Sequence, residues 1–351
     1  MRMRKARALP RAKVVPEAPP VWRPAVGPDL VPALLVFAAT GLLVVGMMLA
    51  SPSFGSFDQL TAILVTAIFL VVASFGQGLV ILLGGIDLSL GVVIGIGGMM
   101  VAGLTRGSND ALMSAIPLTL LSCAGIGLIN GIGVGLAKLP PFITTLSSGI
   151  TFFGVALGIT AGSSQQPVAP ALQTFMNSGW LGLPYPILFT VAFVAAAWLF
   201  QNRSAEGRKL YAIGSSPGAA RVLGLPVAAL TIAAYAISGL CAGLTGILLA
   251  GYAASATLDM GSALLMPSIA AVVIGGARVT GGSGPYLGTF AGALFLSTLS
   301  TVITALSFSQ GLRDIVQGGI ILIALLLQSG RLNLRHHRWR WAHHQQGGGL
   351  T

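Results

Sequence analysis

From Val31 onward the chain alternates between long apolar runs and short polar breaks rich in glycine and proline. The runs fall at roughly 31–49, 60–83, 88–104, 112–137, 142–161, 184–200, 227–251, 264–277, 285–305 and 313–328. A helix needs about 20 apolar residues to cross the hydrocarbon core of a bilayer. The pattern therefore predicts an all-α, polytopic helical membrane bundle of about ten transmembrane spans. The run at 264–277 is short for a crossing and predicts a half-helix or a re-entrant segment.

One polar break stands apart. Residues 201–225 interrupt the apolar pattern with Arg203, Arg208, Lys209 and Arg221. The first part, Gly207–Ile213, reads as a short amphipathic helix. A Gly-Ser-Ser-Pro break follows, and Pro217 then starts a second short helix that Gly224 can stop. Two readings fit this insert: an ordinary basic loop, or a surface helix that a partner protein can push.

Composition narrows the class. Of 351 residues, 54% are hydrophobic and 8% charged, with a mean hydropathy of +0.88. Soluble domains carry about 25% charged residues, so a soluble globular protein is excluded. The net charge of +11 lies at the tails and between apolar runs, which points to membrane topology rather than nucleic acid. Cys123 and Cys241 both fall within apolar runs and imply no disulfide framework. The 48 glycines suit helices that approach closely through small residues.

The charges also predict orientation. With the N-terminus inside, Arg2, Arg4, Lys5, Arg7, Arg11, Lys13 and Arg23 of the tail fall on the cytoplasmic side. Lys138, Arg203, Arg208, Lys209, Arg221, Arg278, Arg331, Arg335, Arg338 and Arg340 join them, leaving Arg106 and Arg313 outside. Short cytoplasmic loops are rich in Lys and Arg, so both termini are expected in the cytoplasm. Residues 1–30 form an Arg- and Pro-rich tail, 31–328 the transmembrane domain and 329–351 a second basic tail. A cleaved signal peptide is disfavoured, since nothing like A-x-A follows the first span.

Few polar residues enter the spans. Asp87 and Ser89 lie in LGGIDLSLG between two apolar runs. A carboxylate deep in a bilayer costs roughly 2.5–3.5 kcal/mol; Asp87 can be a cap at a helix N-terminus or line a path. Asn130 sits in another span, and Thr144, Thr145, Ser147 and Ser148 follow the Pro140-Pro141 break. These hydroxyls can serve helix packing or a polar route for a hydroxylated solute. The segment Gly162–Pro184 is the longest outer loop, with Trp180 and Tyr185 as interfacial anchors and enough length for a docking or gating element.

Other chemistry is missing from the sequence. A Walker A loop needs Gly-Lys-Ser/Thr, and Lys5, Lys13, Lys138 and Lys209 stand in no such setting. No catalytic constellation, cofactor motif or metal-ligand spacing is present. His336, His337, His343 and His344 lie among Arg338, Trp339, Arg340 and Trp341, which reads as a membrane-surface segment rather than a metal site.

Four blocks occur in one order: GGIDLSLG, GLINGIGVGLAKLPPFITTLSSG, GRKLYAIGSSPGAARVLGL and SIAAVVIGGARVTGGSGPYLGTFAGAL. Together, over about Val31–Gln328, they resemble the permease subunits of ribose-type ABC importers, which carry simple sugars. The resemblance implies a bacterial inner-membrane permease with a separate ABC ATPase, an external substrate-binding protein and a second permease copy or paralogue. It implies that Gly207, Arg208, Tyr211, Gly214, Ala219, Ala220, Arg221 and Gly224 form the cytoplasmic element that meets the ATPase. Asp87, Ser89, Asn130, Thr144, Thr145 and Ser147 are the candidates for the translocation path. The run Leu264-Leu265-Met266-Pro267 departs from the family, which often carries an acidic residue there, and the basic tails are additions. The alternatives are an ABC permease for a non-sugar solute and a secondary transporter driven by an ion gradient. The latter would need ionisable groups deep in the bundle, whereas Asp87, Asp259 and Asp314 plot near span ends.

Overall fold

The computed structural model describes residues 30–50, 52–161, 166–309, 311–312, 314–320, 322–323 and 326. The expectations for the N-terminal tail, for the C-terminal tail with its four histidines, for Arg313 and for positions 162–165 of the outer loop lie outside the described residues.

The chain forms α1 (Val31–Ala50), α2 (Phe57–Leu82), α3 (Leu90–Thr105), α4 (Leu112–Gly135) and α5 (Pro141–Ile159). Strand β1 (Gln166–Pro167), α6 (Pro170–Asn177), β2 (Gly179–Trp180) and β3 (Leu183–Pro184) follow. Then come α7 (Tyr185–Arg203), α8 (Ala205–Ser215), α9 (Pro217–Val222) and α10 (Val227–Ala253). Strand β4 (Ser255–Ala256), α11 (Ser262–Ile274) and α12 (Tyr286–Ala305) complete the order. Beyond them, residues 314–320, 322–323 and 326 of the run expected at 313–328 are helical. Among the described residues, α1, α2, α4, α5, α7, α10 and α12 are seven helices long and apolar enough to cross a membrane. The apolar helices α3, with 16 residues, and α11, with 13, are shorter. At 1.5 Å per residue α11 is about 20 Å long, less than the hydrocarbon thickness, as its short apolar run predicts.

Helices α2 and α10 are the most enclosed spans, while α1 and α5 are exposed over most of their surface. Helix α10 packs against α4, α3 and α2, and α2 also meets α11 and α12. Glycine makes these approaches possible. A Cβ on Gly97 of α3 would stand 2.9 Å from the Cα of Gly243 on α10, and one on Gly246 would collide with the Ile94 carbonyl. With no hydrophobic drive between lipid-bathed helices, such close backbone packing supplies much of the adhesion.

The connections gather at two ends. At one, Asn109 Oδ1 accepts from Ala171 N at 2.9 Å. There β1 also pairs antiparallel with β4, Gln166 opposite Ala256, while β2 and β3 form a small hairpin. At the other end the turn 83–89, the α8–α9 insert and the turn 275–285 meet, and Gly282 N donates to Leu82 O at 2.9 Å. Arg203, Arg208, Lys209, Arg221 and Arg278 belong to connections at this second end, and Arg106 to the first. The sequence's charge bias thus corresponds to two ends of one bundle.

Candidate functional site

The insert folds as two short helices. Ser204 precedes α8, and its Oγ accepts from Gly207 N at 2.9 Å, a local N-cap. Ser216 repeats the device for α9, accepting from Ala219 N at 3.3 Å, with Pro217 in the first turn. Gly224, at φ +74°, turns the chain out of α9 in a conformation that glycine adopts without strain. Pro217 and Gly224 thus start and stop α9 as the sequence predicts, whereas the Ser204 and Ser216 caps went unread and α8 extends two residues beyond Gly207–Ile213 at each end.

A polar insert of this size between two apolar runs is expected from sequence to lie in water, but it is not wholly solvated. Gly207, Leu210, Ile213 and Gly214 of α8 are buried. Gly214 is pressed against the Leu82 carbonyl, and a Cβ there would lie 2.7 Å from Gly282 N. Tyr211 turns inward and donates its hydroxyl to Gly284 O at 2.8 Å. Gln201, in the last turn of α7, donates to the same carbonyl and to the Tyr211 hydroxyl, both at 2.8 Å. Burial pushes the Tyr211 phenol above its ordinary range, and the Gln201 bond opposes this only in part. The phenol stays protonated and remains a donor.

The residues assigned to the insert therefore split. Arg208, Ala219, Arg221 and Gly224 are exposed, whereas Gly207, Gly214 and Ala220 are buried and Tyr211 is half-buried. Val222 and Leu223 stand 89% and 75% exposed beside Arg221. Sequence reasoning passed over this pair, although two bulky apolar residues at the tip of a polar insert were a legible signal. It also passed over Gln201, whose role depends on a partner 83 positions away.

The second site surrounds Asp87. Its carboxylate is buried and accepts from Ser89 N at 3.0 Å, Ser89 Oγ at 2.6 Å and Ser238 Oγ of α10 at 2.8 Å. Asn130 of α4 donates to Ser89 Oγ at 2.9 Å. Thr145 of α5 accepts from Leu88 N at 3.0 Å. With its amide nitrogen toward Asp87 O and its oxygen toward Asp87 N, Gln77 of α2 bonds both, at 3.1 and 3.2 Å. Four helices thus fasten one turn, and three donors satisfy the carboxyl group, as burial of a polar group requires. Asp87 caps this turn two residues on, ahead of the first turn of α3.

Asp87, Ser89, Asn130 and Thr145 are thereby brought together inside the protein. Thr144 and Ser147 are not part of the cluster; Ser147 is exposed on α5 and Thr144 half-exposed. Trp180 and Tyr185 are both exposed at the β2–β3 hairpin. Among the described residues no group of three or more His, Cys, Asp and Glu side chains could hold a metal ion.

Residues 59–325 match the family described as branched-chain amino acid transport system / permease component. The chain is 32% identical over 313 residues to the autoinducer 2 import system permease protein LsrD of Photorhabdus laumondii, covering 87% of this chain and 93% of the relative. It is 32% identical over 293 residues to the ribose import permease protein RbsC of Bacillus subtilis, covering 83% and 91%. A probable ABC transporter permease protein, y4mJ, of Sinorhizobium fredii is 35% identical over 300 residues, covering 84% and 88%. No solved structure matches the chain.

Proposed function

The chain belongs to the branched-chain amino acid transport system permease-component family, and from that premise we propose that it carries a simple sugar through the bacterial inner membrane as the permease of an ABC importer. It is a multi-pass membrane protein. The near full-length likeness to permeases named for ribose and for autoinducer 2 import supports a small hydroxylated solute. Hydrolysis of ATP falls to a separate subunit, because no Walker A loop is available here. An external binding protein delivers the solute, and a second permease completes the pore. About ten spans with both termini in the cytoplasm fit the charge distribution.

One observation carries the energy-coupling part of this reading. The α9 tip offers Arg221 with exposed Val222 and Leu223 to a partner, while α8 behind it is bonded to the turn before α12 and packed on the turn after α2. Arginine is enriched among interface hot spots, and covering Val222 and Leu223 with a partner removes exposed apolar surface from water. A push on this tip reaches two inter-helical turns through direct contacts.

The test is uptake into proteoliposomes holding the permease, its ATPase and the loaded binding protein. D-ribose uptake is expected to require ATP and to survive a protonophore and collapse of the sodium gradient. Uptake by this chain alone on an ion gradient would instead support a secondary transporter. A second reading, an ABC permease for a non-sugar solute, draws on the family description, which names branched-chain amino acids. Competition by leucine but not by D-ribose would favour it.

A further inference from the structure

Between β4 and α11 the chain runs without regular structure from Thr257 to Gly261. This stretch lies within the bundle. The Leu258 carbonyl occupies the place of a Cβ on Gly95, Met260 Sδ lies 2.6 Å from that of Gly98, and Gly261 O lies 3.1 Å from that of Gly91. Gly91 and Gly95 belong to the half of α3 nearer the Asp87 turn, and Gly98 sits just past the helix midpoint. Gly98 is about 10 Å along the helix from Thr105, where the outer connections begin. The stretch is therefore held at mid-depth and not at the outer surface, which corrects the sequence expectation that Asp259 lies near a span end. Irregular backbone at such depth is tolerated where it is buried in protein or lines a watery cavity.

Along this stretch the side chains divide. Leu258 is buried and Met260 half-buried, whereas Asp259 between them is exposed. Among the described residues its carboxylate makes no hydrogen bond or ion pair. It does not cap α11 either, since Ser262 N donates at 2.9 Å to the backbone carbonyl of Asp259. Asp87, by contrast, reaches a similar bundle with three donors on its carboxylate. An unpartnered carboxylate open to lipid at this depth is strongly disfavoured, and intramembrane carboxylates usually face the bundle interior or a watery path.

We propose that Asp259 stands in the aqueous translocation pathway and accepts hydrogen bonds from the hydroxyls of the passing solute. The inference rests on the reading of this chain as a permease and adds a solute-contacting residue to it. The chemistry suits a small polyol, because a carboxylate offers two oxygens to neighbouring hydroxyls and charge-assisted bonds are the stronger kind. Exposed Ser262, one turn further on, adds a hydroxyl at the same opening.

The experiment uses the assembled complex in lipid and a charged, membrane-impermeant methanethiosulfonate. The native Cys123 and Cys241 are buried, so the unsubstituted complex serves as the blank. Asp259→Cys is expected to react, to react more slowly with loaded ribose-binding protein present, and to lose transport once modified. Arg106→Cys is the exposed control, and Leu42→Cys, on the apolar face of α1, the lipid-facing one. Asp259→Asn is expected to lower D-ribose uptake about tenfold or more, with the ATPase subunit still bound. An unreactive Asp259→Cys beside a reactive Arg106→Cys, or wild-type uptake by Asp259→Asn, would overturn the inference. Failure of the unsubstituted complex to import with ATP would instead defeat the permease reading, which the labelling result does not depend on.

Discussion

The side-chain amide of Gln201 donates to the carbonyl of Gly284 at 2.8 Å, joining the end of α7 to the turn that leads into α12. The Tyr211 hydroxyl of α8 donates to the same oxygen, so three segments meet at one carbonyl. The bonds to Gly284 are long-range in sequence, and the set is at least part-buried and placed between the proposed ATPase contact and the bundle. It makes α8 part of the transmembrane body rather than a tethered loop.

Cutting this joint should uncouple the two halves of the cycle. Gln201→Leu and Tyr211→Phe each remove two hydrogen bonds, at a net of about 1 kcal/mol apiece, too little to unfold the protein. ATPase binding is expected to persist while solute moved per ATP falls, as measured in proteoliposomes. An unchanged ratio in both variants would remove the joint from the coupling path. Because the folded Tyr211 pKa is raised above 10.0, the folded state holds the phenolic proton longer than the unfolded chain. Its contribution is thus constant below about pH 10 and declines as pH rises further, and Tyr211→Phe should lack that alkaline loss.

Docking and packing variants of the insert should behave differently. Arg221→Glu and Val222→Asp alter exposed residues and should reduce ATPase binding and stimulation in a normally folded permease. Gly214→Trp places a ring against Leu82 and Gly282 and should lower folded yield outright. Comparing thermal stability in detergent with stimulation by loaded binding protein separates the two classes.

The Asp87 turn should act as a brace. Asp87→Ala strands the hydroxyls of Ser89 and Ser238 and leaves a hole, at a cost of about 3 kcal/mol. A lowered melting temperature is the expected readout, with Asp87→Asn milder. Ser147→Ala, on an exposed position outside the hydrogen-bonded cluster, should leave stability within about 0.5 kcal/mol.

Topology is open to direct measurement. Reporter fusions at Ser108 and at Gly218 should report opposite sides of the membrane, with Gly218 and Thr351 together in the cytoplasm. Finding Ser108 and Gly218 on one side would break the ten-span arrangement.

The apolar runs by themselves determined where helices α1 to α5, α7 and α10 to α12 form, because crossing a bilayer is a one-dimensional requirement on length and hydropathy. Ser204, Ser216, Pro217 and Gly224 likewise placed α8 and α9, since caps and turns act over three or four residues. Tertiary structure alone decided which polar residues are tied up and which are open. Asp87 and Asp259 each sit between apolar runs and look alike in sequence. Only the meeting of α2, α4, α5 and α10 supplies donors to the first, and only the packing of Leu258 and Met260 on the α3 glycines leaves the second unpartnered at mid-depth. The same holds for Gln201 and Tyr211, whose shared acceptor comes from a turn more than seventy positions away. Hydropathy is a property of the local chain, whereas a hydrogen-bond partner depends on which helix faces glycine allows to touch.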